Sequence, residues 1–367
     1  MGAGVQSILG RFVGGGGSGC LRITNLVLVV LGMVTFGGCA SNQGEVFAPL
    51  EEPILWPRGA AEARIAYVGS LSTDRDLKAS QSFMEGLGSV LFGAKEGHGM
   101  VSPFAVCTDG PDRVFVSDVN AQTVHVFDLA RRKYEQWKPN AGGDYRFQQP
   151  VGVVYDSFDR LLVSDSVAGT IFAFDQRGKY LGHFGEDSVR RPSGIAFDGA
   201  TNRLFVVDSE THELVVLGMD GELIQRVGKR GSKLGQFNFP TNVAIGNDGR
   251  IYVSDSLNFR VQVFDSELQP VRQIGRKGDM PGYFSLPKGL AVDSEGHLYV
   301  VDAQFETVQV FDEAGRLLMS FGDEGHGPGQ FWLPAGIFVD GRDRIWVADS
   351  YNRRVQVFDY LSQQVKP

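Results

Sequence analysis

The sequence predicts an all-β fold, a six-bladed β-propeller whose last blade is completed by a strand from the N-terminal side. Three observations carry that prediction. The unit Val-x-Asp recurs six times, with its aspartates at Asp118, Asp165, Asp208, Asp255, Asp302 and Asp349, spaced 47, 43, 47, 47 and 47 residues apart. A proline opens each period, at Pro103, Pro150, Pro192, Pro240, Pro287 and Pro334. Within a period the apolar residues fall in short runs of strand length, and four such runs per period match one propeller blade.

The fifth period shows the pattern in order. Gly289-Leu290-Ala291-Val292-Asp293 reads as a first strand, Leu298-Tyr299-Val300-Val301-Asp302 as a second and Val308-Gln309-Val310-Phe311-Asp312 as a third. Ser294-Glu295-Gly296 and Glu313-Ala314-Gly315 separate them, as Asn247-Asp248-Gly249 does one period earlier. Glycine there supplies the positive φ of a tight hairpin. A fourth strand ends in Phe-Gly or a variant (His183-Phe184-Gly185, Gln273-Ile274-Gly275, Ser320-Phe321-Gly322) and leads into a glycine-rich loop such as Gly327-Pro328-Gly329-Gln330-Phe331. The sixth period stops after its third strand, Arg354-Val355-Gln356-Val357-Phe358-Asp359. The segment Arg64-Ile65-Ala66-Tyr67-Val68-Gly69 has the character of the missing fourth strand, and its pairing there would remove a sheet edge and tie the ring shut. Between this strand and the first full blade, Leu77, Met84, Leu87 and Leu91 are spaced as one face of a helix, so a helical insert is expected near 76–92 on the loop-rich face.

Two repeats carry a closer resemblance. Pro240-Thr241-Asn242-Val243-Ala244 is followed by Asp255-Ser256-Leu257-Asn258-Phe259-Arg260-Val261-Gln262-Val263-Phe264-Asp265, and the sixth repeat has Asp349-Ser350-Tyr351-Asn352-Arg353-Arg354-Val355-Gln356-Val357-Phe358-Asp359. These resemble the NHL repeats of six-bladed propellers, including bacterial NHL-repeat lipoproteins, over about residues 62 to 360. The remaining repeats depart from the motif: Ala121, Ala168, Thr211 and Phe305 stand at the asparagine position, and Thr123, Thr170, Glu213 and Thr307 at the arginine position. The resemblance implies a fold, not an activity.

Arg11 and Arg22 precede an apolar run from Leu26 to Phe36, which ends in Phe36-Gly37-Gly38-Cys39. This resembles a bacterial lipoprotein signal, and the run is too short to span a bilayer. The resemblance implies removal of residues 1–38, lipid attachment at Cys39, a lipidated tether over 39–61 rich in proline (Pro49, Pro53, Pro57) and a propeller over 62–367. Ala40 after the cysteine implies sorting to the outer membrane of the cell envelope.

Composition agrees with one exported globular domain. The hydrophobic share is 43%, and loss of Arg11 and Arg22 with the leader takes the formal charge from −8 to −10. An acidic exported protein makes a poor nucleic-acid binder, so none is expected as a partner. Beyond the leader and Cys39 only Cys107 remains, which excludes an internal disulfide and suits a small buried residue.

The six aspartates could suggest a metal ring, but each follows a second strand and precedes a turn whose N–H groups need an acceptor, so a structural role is expected. Function is sought where the repeat is broken. Residues after the opening prolines should ring the channel mouth: Phe104, Val151, Ser193, Thr241, Lys288 and Ala335. Lys288, with neighbouring Thr241 and Asn242, is a candidate ligand contact. The ring holds no histidine or carboxylate, so no metal, cofactor or catalytic residue is assigned. His98 and His326 recur in Glu-Gly-His-Gly loops, and with Arg260 and Arg354 they are candidate partner contacts on the loop-rich face. Lys229, Arg230, Lys233, Arg276, Lys277 and Arg353 are expected there too, among Glu210, Glu213, Glu306 and Asp323.

Two exported enzyme families use similar propellers: amidating lyases with metal-binding histidines, and gluconolactonase-like hydrolases with an acidic and amide ring around a divalent ion. The histidines of this chain share no common register. The reading is a lipid-anchored envelope propeller, bound to the membrane by its lipid, that acts as a protein-binding or scaffolding module. The alternative is an envelope lyase or hydrolase with a divalent metal at the channel mouth.

Overall fold

The computed structural model of the protein describes residues 45–47, 49–59, 62–77, 98–139 and 145–361. Cys39, the leader and nearly all of the insert expected near 76–92 lie outside the described residues. Among the described residues, antiparallel sheets form six blades. Each inner strand contacts those of the blades on either side, which closes the ring, and the first blade meets the sixth. Blade 4 is representative: Pro240–Ile245, Ile251–Asp255, Arg260–Phe264 and Pro270–Ile274 run from the axis outward. Gly249 and Gly296, in hairpin turns, have φ of +77° and +85°, where a Cβ would be strained.

Apolar residues of adjacent blades face one another, so the core is a set of layers between sheets; Phe205, Val207, Phe237, Val253 and Phe264 form one of them. The Phe-Gly ending and the following loop have a shared cause. A Cβ on Gly275 would lie within van der Waals overlap of Phe284, and Gly228 and Gly322 stand in the same relation to Phe237 and Phe331. Glycine therefore opens the seat into which the loop phenylalanine folds back.

The sixth blade is completed as the sequence predicts. Ile65–Leu71 pairs antiparallel with Arg354–Tyr360, with Ile65 opposite Tyr360 and Leu71 opposite Val355. One feature differs from expectation. Leu55–Trp56, inside the stretch assigned to the tether, adds a fifth strand outside Ile65–Leu71. Trp56 is buried against Phe321 and Phe358, and Phe47 packs edge-on to Trp346 at 6.3 Å. Apolar surface available on the last blade draws this segment down, so Val46, Phe47, Ile54 and Trp56 pack on the propeller. In the insert, Asp74–Leu77 forms a 3-10 turn, with Leu77 buried.

The buried Cys107 lies in the inner strand of blade 1, where burial pushes its thiol up in pKa. On the hairpin-turn side of blade 5, Asp293 accepts His297 Nδ1 at 2.9 Å and the Tyr299 hydroxyl at 3.0 Å. The hydrogen bond to Asp293 raises the His297 pKa, outweighing desolvation. A raised folded-state pKa means that the stabilisation is complete below the unfolded value of 6.5 and is lost as pH rises through the folded one. Melting temperature is therefore expected to fall as pH rises above 6.5, and the fall to be shallower in His297→Gln. Equal slopes in the two proteins would remove His297 as the cause.

Candidate functional site

The geometry of the repeated aspartates decides which residues are free to act. All six carboxylates are buried. Asp302 accepts the N–H groups of Ser285, Leu286, Gln304 and Phe305, drawn from the loop before the blade and the turn after the strand. In blades 4 and 6, side chains take over part of this work. Asp255 accepts Asn258 Nδ2, Arg260 Nε and Gln262 Nε2, all within 3.0 Å, and Asp349 accepts Asn352, Arg354 and Gln356 in the same way. Arg260 then donates to the carbonyls of Lys233 and Gln236, and Arg354 to those of Gly327 and Gln330. The Asn-x-Arg-x-Gln motif is thus a clamp that holds the incoming inter-blade loop.

This corrects two expectations. Arg260 and Arg354 were placed among partner contacts, but their guanidinium groups are spent on the clamp, and Arg260 is buried. A surface position in the repeat does not imply an exposed side chain when a buried carboxylate lies within reach. In blade 1 the clamp is replaced by a histidine: His125 takes the glutamine position, with Nε2 3.2 Å from Asp118 and Nδ1 2.7 Å from the Tyr134 hydroxyl.

His98 and His326 do not converge among the described residues. His326 Nδ1 lies 2.6 Å from Asn352 Oδ1 and its ring meets the edge of Trp332, whereas the His98 ring faces Tyr134 at 6.3 Å. The basic residues of the loop-rich face are partly engaged as well: Arg276 lies over Tyr283 at 4.3 Å and Lys277 over Phe259 at 4.9 Å.

At the axis, the inner strands approach backbone to backbone. A methyl on Gly194 would sit 2.5 Å from Asn242 Cα, and one on Gly336 2.5 Å from the Phe104 carbonyl. A sequence of hydrogen bonds runs from blade to blade round this level: Ser117 to Val151 O, Ser164 to Ser193 O, Ser193 to Thr241 O, Ser254 to Lys288 O, Gly289 N to Ala335 O, and Ser350 to Pro103 O. The serines of Val-Ser-Asp carry half of them. Sequence reasoning missed this ring, although the recurring serine before the aspartate was its signal.

Lys288, on the inner strand of blade 5, holds its ammonium 5.9 Å from the Phe104 ring of blade 1. It makes no hydrogen bond or ion pair among the described residues, and burial alone lowers its pKa. Thr241 is occupied: Ser256 donates to Pro287 O, so the Thr241 hydroxyl donates to Ser256 Oγ, 2.7 Å away. Asn242 Oδ1 accepts the Val243 N–H at 2.7 Å, while its Nδ2 has no protein acceptor among the described residues. Along the axis lies a cavity of about 190 Å³, walled by apolar residues such as Val106, Val154, Ile245 and Leu290, with Asn242 the one polar side chain lining it.

The loop before each blade and the turn after each second strand belong to one face, joined by bonds such as Leu257 N to Asn238 O and Tyr351 N to Trp332 O. On this face Val167, Leu257, Met280, Trp332 and Tyr351 are between 42% and 60% exposed. Trp332 and Tyr351 meet edge to face at 5.3 Å. This exposed rim was not anticipated from sequence, although three of its members, Val167, Leu257 and Tyr351, stand two residues after a repeated aspartate.

A family model described as the SMP-30/gluconolactonase/LRE-like region matches residues 105–322, and one described as a 6-bladed β-propeller matches residues 292–366. No curated protein sequence matches the chain. Among solved structures, virginiamycin B lyase from Staphylococcus aureus is similar with a TM-score of 0.52 and 14% identity, over 71% of this chain and 96% of that one. An auxiliary nutrient binding protein from Bacteroides thetaiotaomicron has a TM-score of 0.56 and 12% identity, over 71% of this chain and 70% of that one. A luciferin-regenerating enzyme has a TM-score of 0.53 and 16% identity, over 72% and 92%. At these identities the likeness is one of fold.

A divalent ion of the kind held by gluconolactonase-like hydrolases does not fit this mouth. Its ring holds no carboxylate, Asn242 is the one amide, and the Lys288 ammonium would repel a cation. No group of three or more His, Cys, Asp or Glu is placed to hold a metal among the described residues. In fold and in sequence the chain belongs to the SMP-30/gluconolactonase/LRE-like family, as an NHL-like six-bladed propeller with a departing channel mouth.

Proposed function

We propose that the chain is a lipid-anchored propeller of the bacterial cell envelope that binds a protein partner through its loop-rich face. The observation that carries this reading is the exposed rim of Val167, Leu257, Met280, Trp332 and Tyr351 on that face. Tryptophan and tyrosine presented together on a rigid scaffold are characteristic anchors of protein interfaces. The repeated carboxylates and arginines are consumed inside the fold, which leaves the rim and the mouth as the surfaces free to act. The Cys39 signal supports an envelope location, and Ala40 after it an outer-membrane one. No helix among the described residues is long and apolar enough to cross a membrane, and a lipid on Cys39 would supply the attachment instead.

The test is cross-linking in intact envelopes of the native chain, the Trp332→Ala/Tyr351→Ala double variant and Cys39→Ser. The native chain is expected to yield a defined cross-linked species, and the double variant to lose at least about nine-tenths of it. Both should melt alike, because the two side chains are exposed. Cys39→Ser is expected in the soluble fraction. Undiminished cross-linking in the double variant would sink the rim as the docking surface.

A further inference from the structure

We propose that the channel mouth and axial cavity form a binding site for a small carboxylate with a short apolar body, held by the Lys288 ammonium and the Asn242 side-chain amide. The site goes beyond the docking face and does not depend on it.

At the mouth the hydroxyls of Ser193, Thr241 and Ser256 all donate to groups of the protein. Two donors stay without an acceptor among the described residues, Lys288 Nζ and Asn242 Nδ2, and they come from successive blades at adjoining levels of the inner strands. Lys288 and Asn242 are half-buried, so both donors stay open to the channel, and a cation with no counter-charge on a rigid wall is a ready partner for an anion. Burial depresses the Lys288 pKa with no carboxylate beside it, which agrees with an unfilled place for negative charge.

The class of anion follows from charge and shape. One ammonium neutralises a monoanion; a phosphate dianion would keep an uncompensated charge in a site with no second cation. The two oxygens of a carboxylate match one ammonium and one amide N–H. The remaining walls are apolar: Phe104 under the ammonium, Val151 and Ala335 on the ring, and the axial cavity of about 190 Å³ in which Asn242 is the one polar side chain. They favour an acid with an aliphatic body over a small hydrophilic ion.

Hexanoate, its neutral analogue hexanamide and inorganic phosphate serve as probes in thermal melts of the full-length protein. Hexanoate is expected to raise the melting temperature saturably, whereas hexanamide and phosphate leave it unchanged. Lys288→Met keeps the side-chain length, should melt no lower than the native protein, and is expected to weaken the hexanoate response at least about tenfold. Asn242→Ala, read in the same way, is expected to weaken it by a smaller factor. Absence of any hexanoate shift, an equal shift in Lys288→Met, or an equal response to phosphate would each overturn the assignment.

Discussion

Replacing Asp255 by alanine should cost about 4 kcal/mol, a large part of the roughly 5–15 kcal/mol that holds a domain folded. The carboxylate takes hydrogen bonds from Asn258, Arg260, Gln262 and the Asn238 N–H. Without it the Arg260 guanidinium stays buried with no counter-charge, and the clamp on the loop carbonyls of Lys233 and Gln236 loses its anchor. Asp302→Ala removes a carboxylate bonded to main-chain N–H groups and strands no cation, so about 2 kcal/mol is expected there. Urea titrations of the two variants measure the difference. Equal losses would mean that the Asn-x-Arg-x-Gln clamp adds nothing to the shared aspartate.

Trp56→Ala is expected to cost about 4 kcal/mol, although its sequence context reads as linker. The indole is buried between Phe321 of blade 5 and Phe358 of blade 6, with centroids at 6.0 and 5.8 Å. It also fills the space above Gly329, where a methyl would come 2.5 Å from the ring. The strand it belongs to covers the outer edge of Ile65–Leu71, the strand that closes the propeller. Loss of the indole should therefore loosen ring closure. The exposed Arg58–Asp323 ion pair at 2.7 Å beside it adds little by comparison. A loss under about 1 kcal/mol by equilibrium denaturation would show that the segment rests on the blade without supporting it.

Much of the architecture can be read from residues because a repeat fold restates its own rules. Six prolines and six aspartates at near-constant spacing locate every blade, and the apolar run at 64–69 points to the closing strand. The buried role of the aspartates is legible too, since each precedes a turn whose N–H groups require an acceptor. The motif at Asn258, Arg260 and Gln262 is equally visible, but its reach is not. Sequence shows that three polar side chains follow the aspartate; that they bend inward and leave no guanidinium for a partner depends on a loop some 25 residues earlier in the chain.

The chain's periodicity decided the fold, the number of blades and the closure, because strand length, turn chemistry and apolar alternation are local properties that each repeat states again. Which side chains remain free was settled by the folded arrangement alone. Lys288 of blade 5 holds its ammonium near Phe104 of blade 1, serines join carbonyls of the next blade, Trp56 finds a seat on the last blade, and Trp332 meets Tyr351. These contacts join residues remote in sequence or in neighbouring blades, and the curvature of the ring, which no single repeat encodes, brings them within reach.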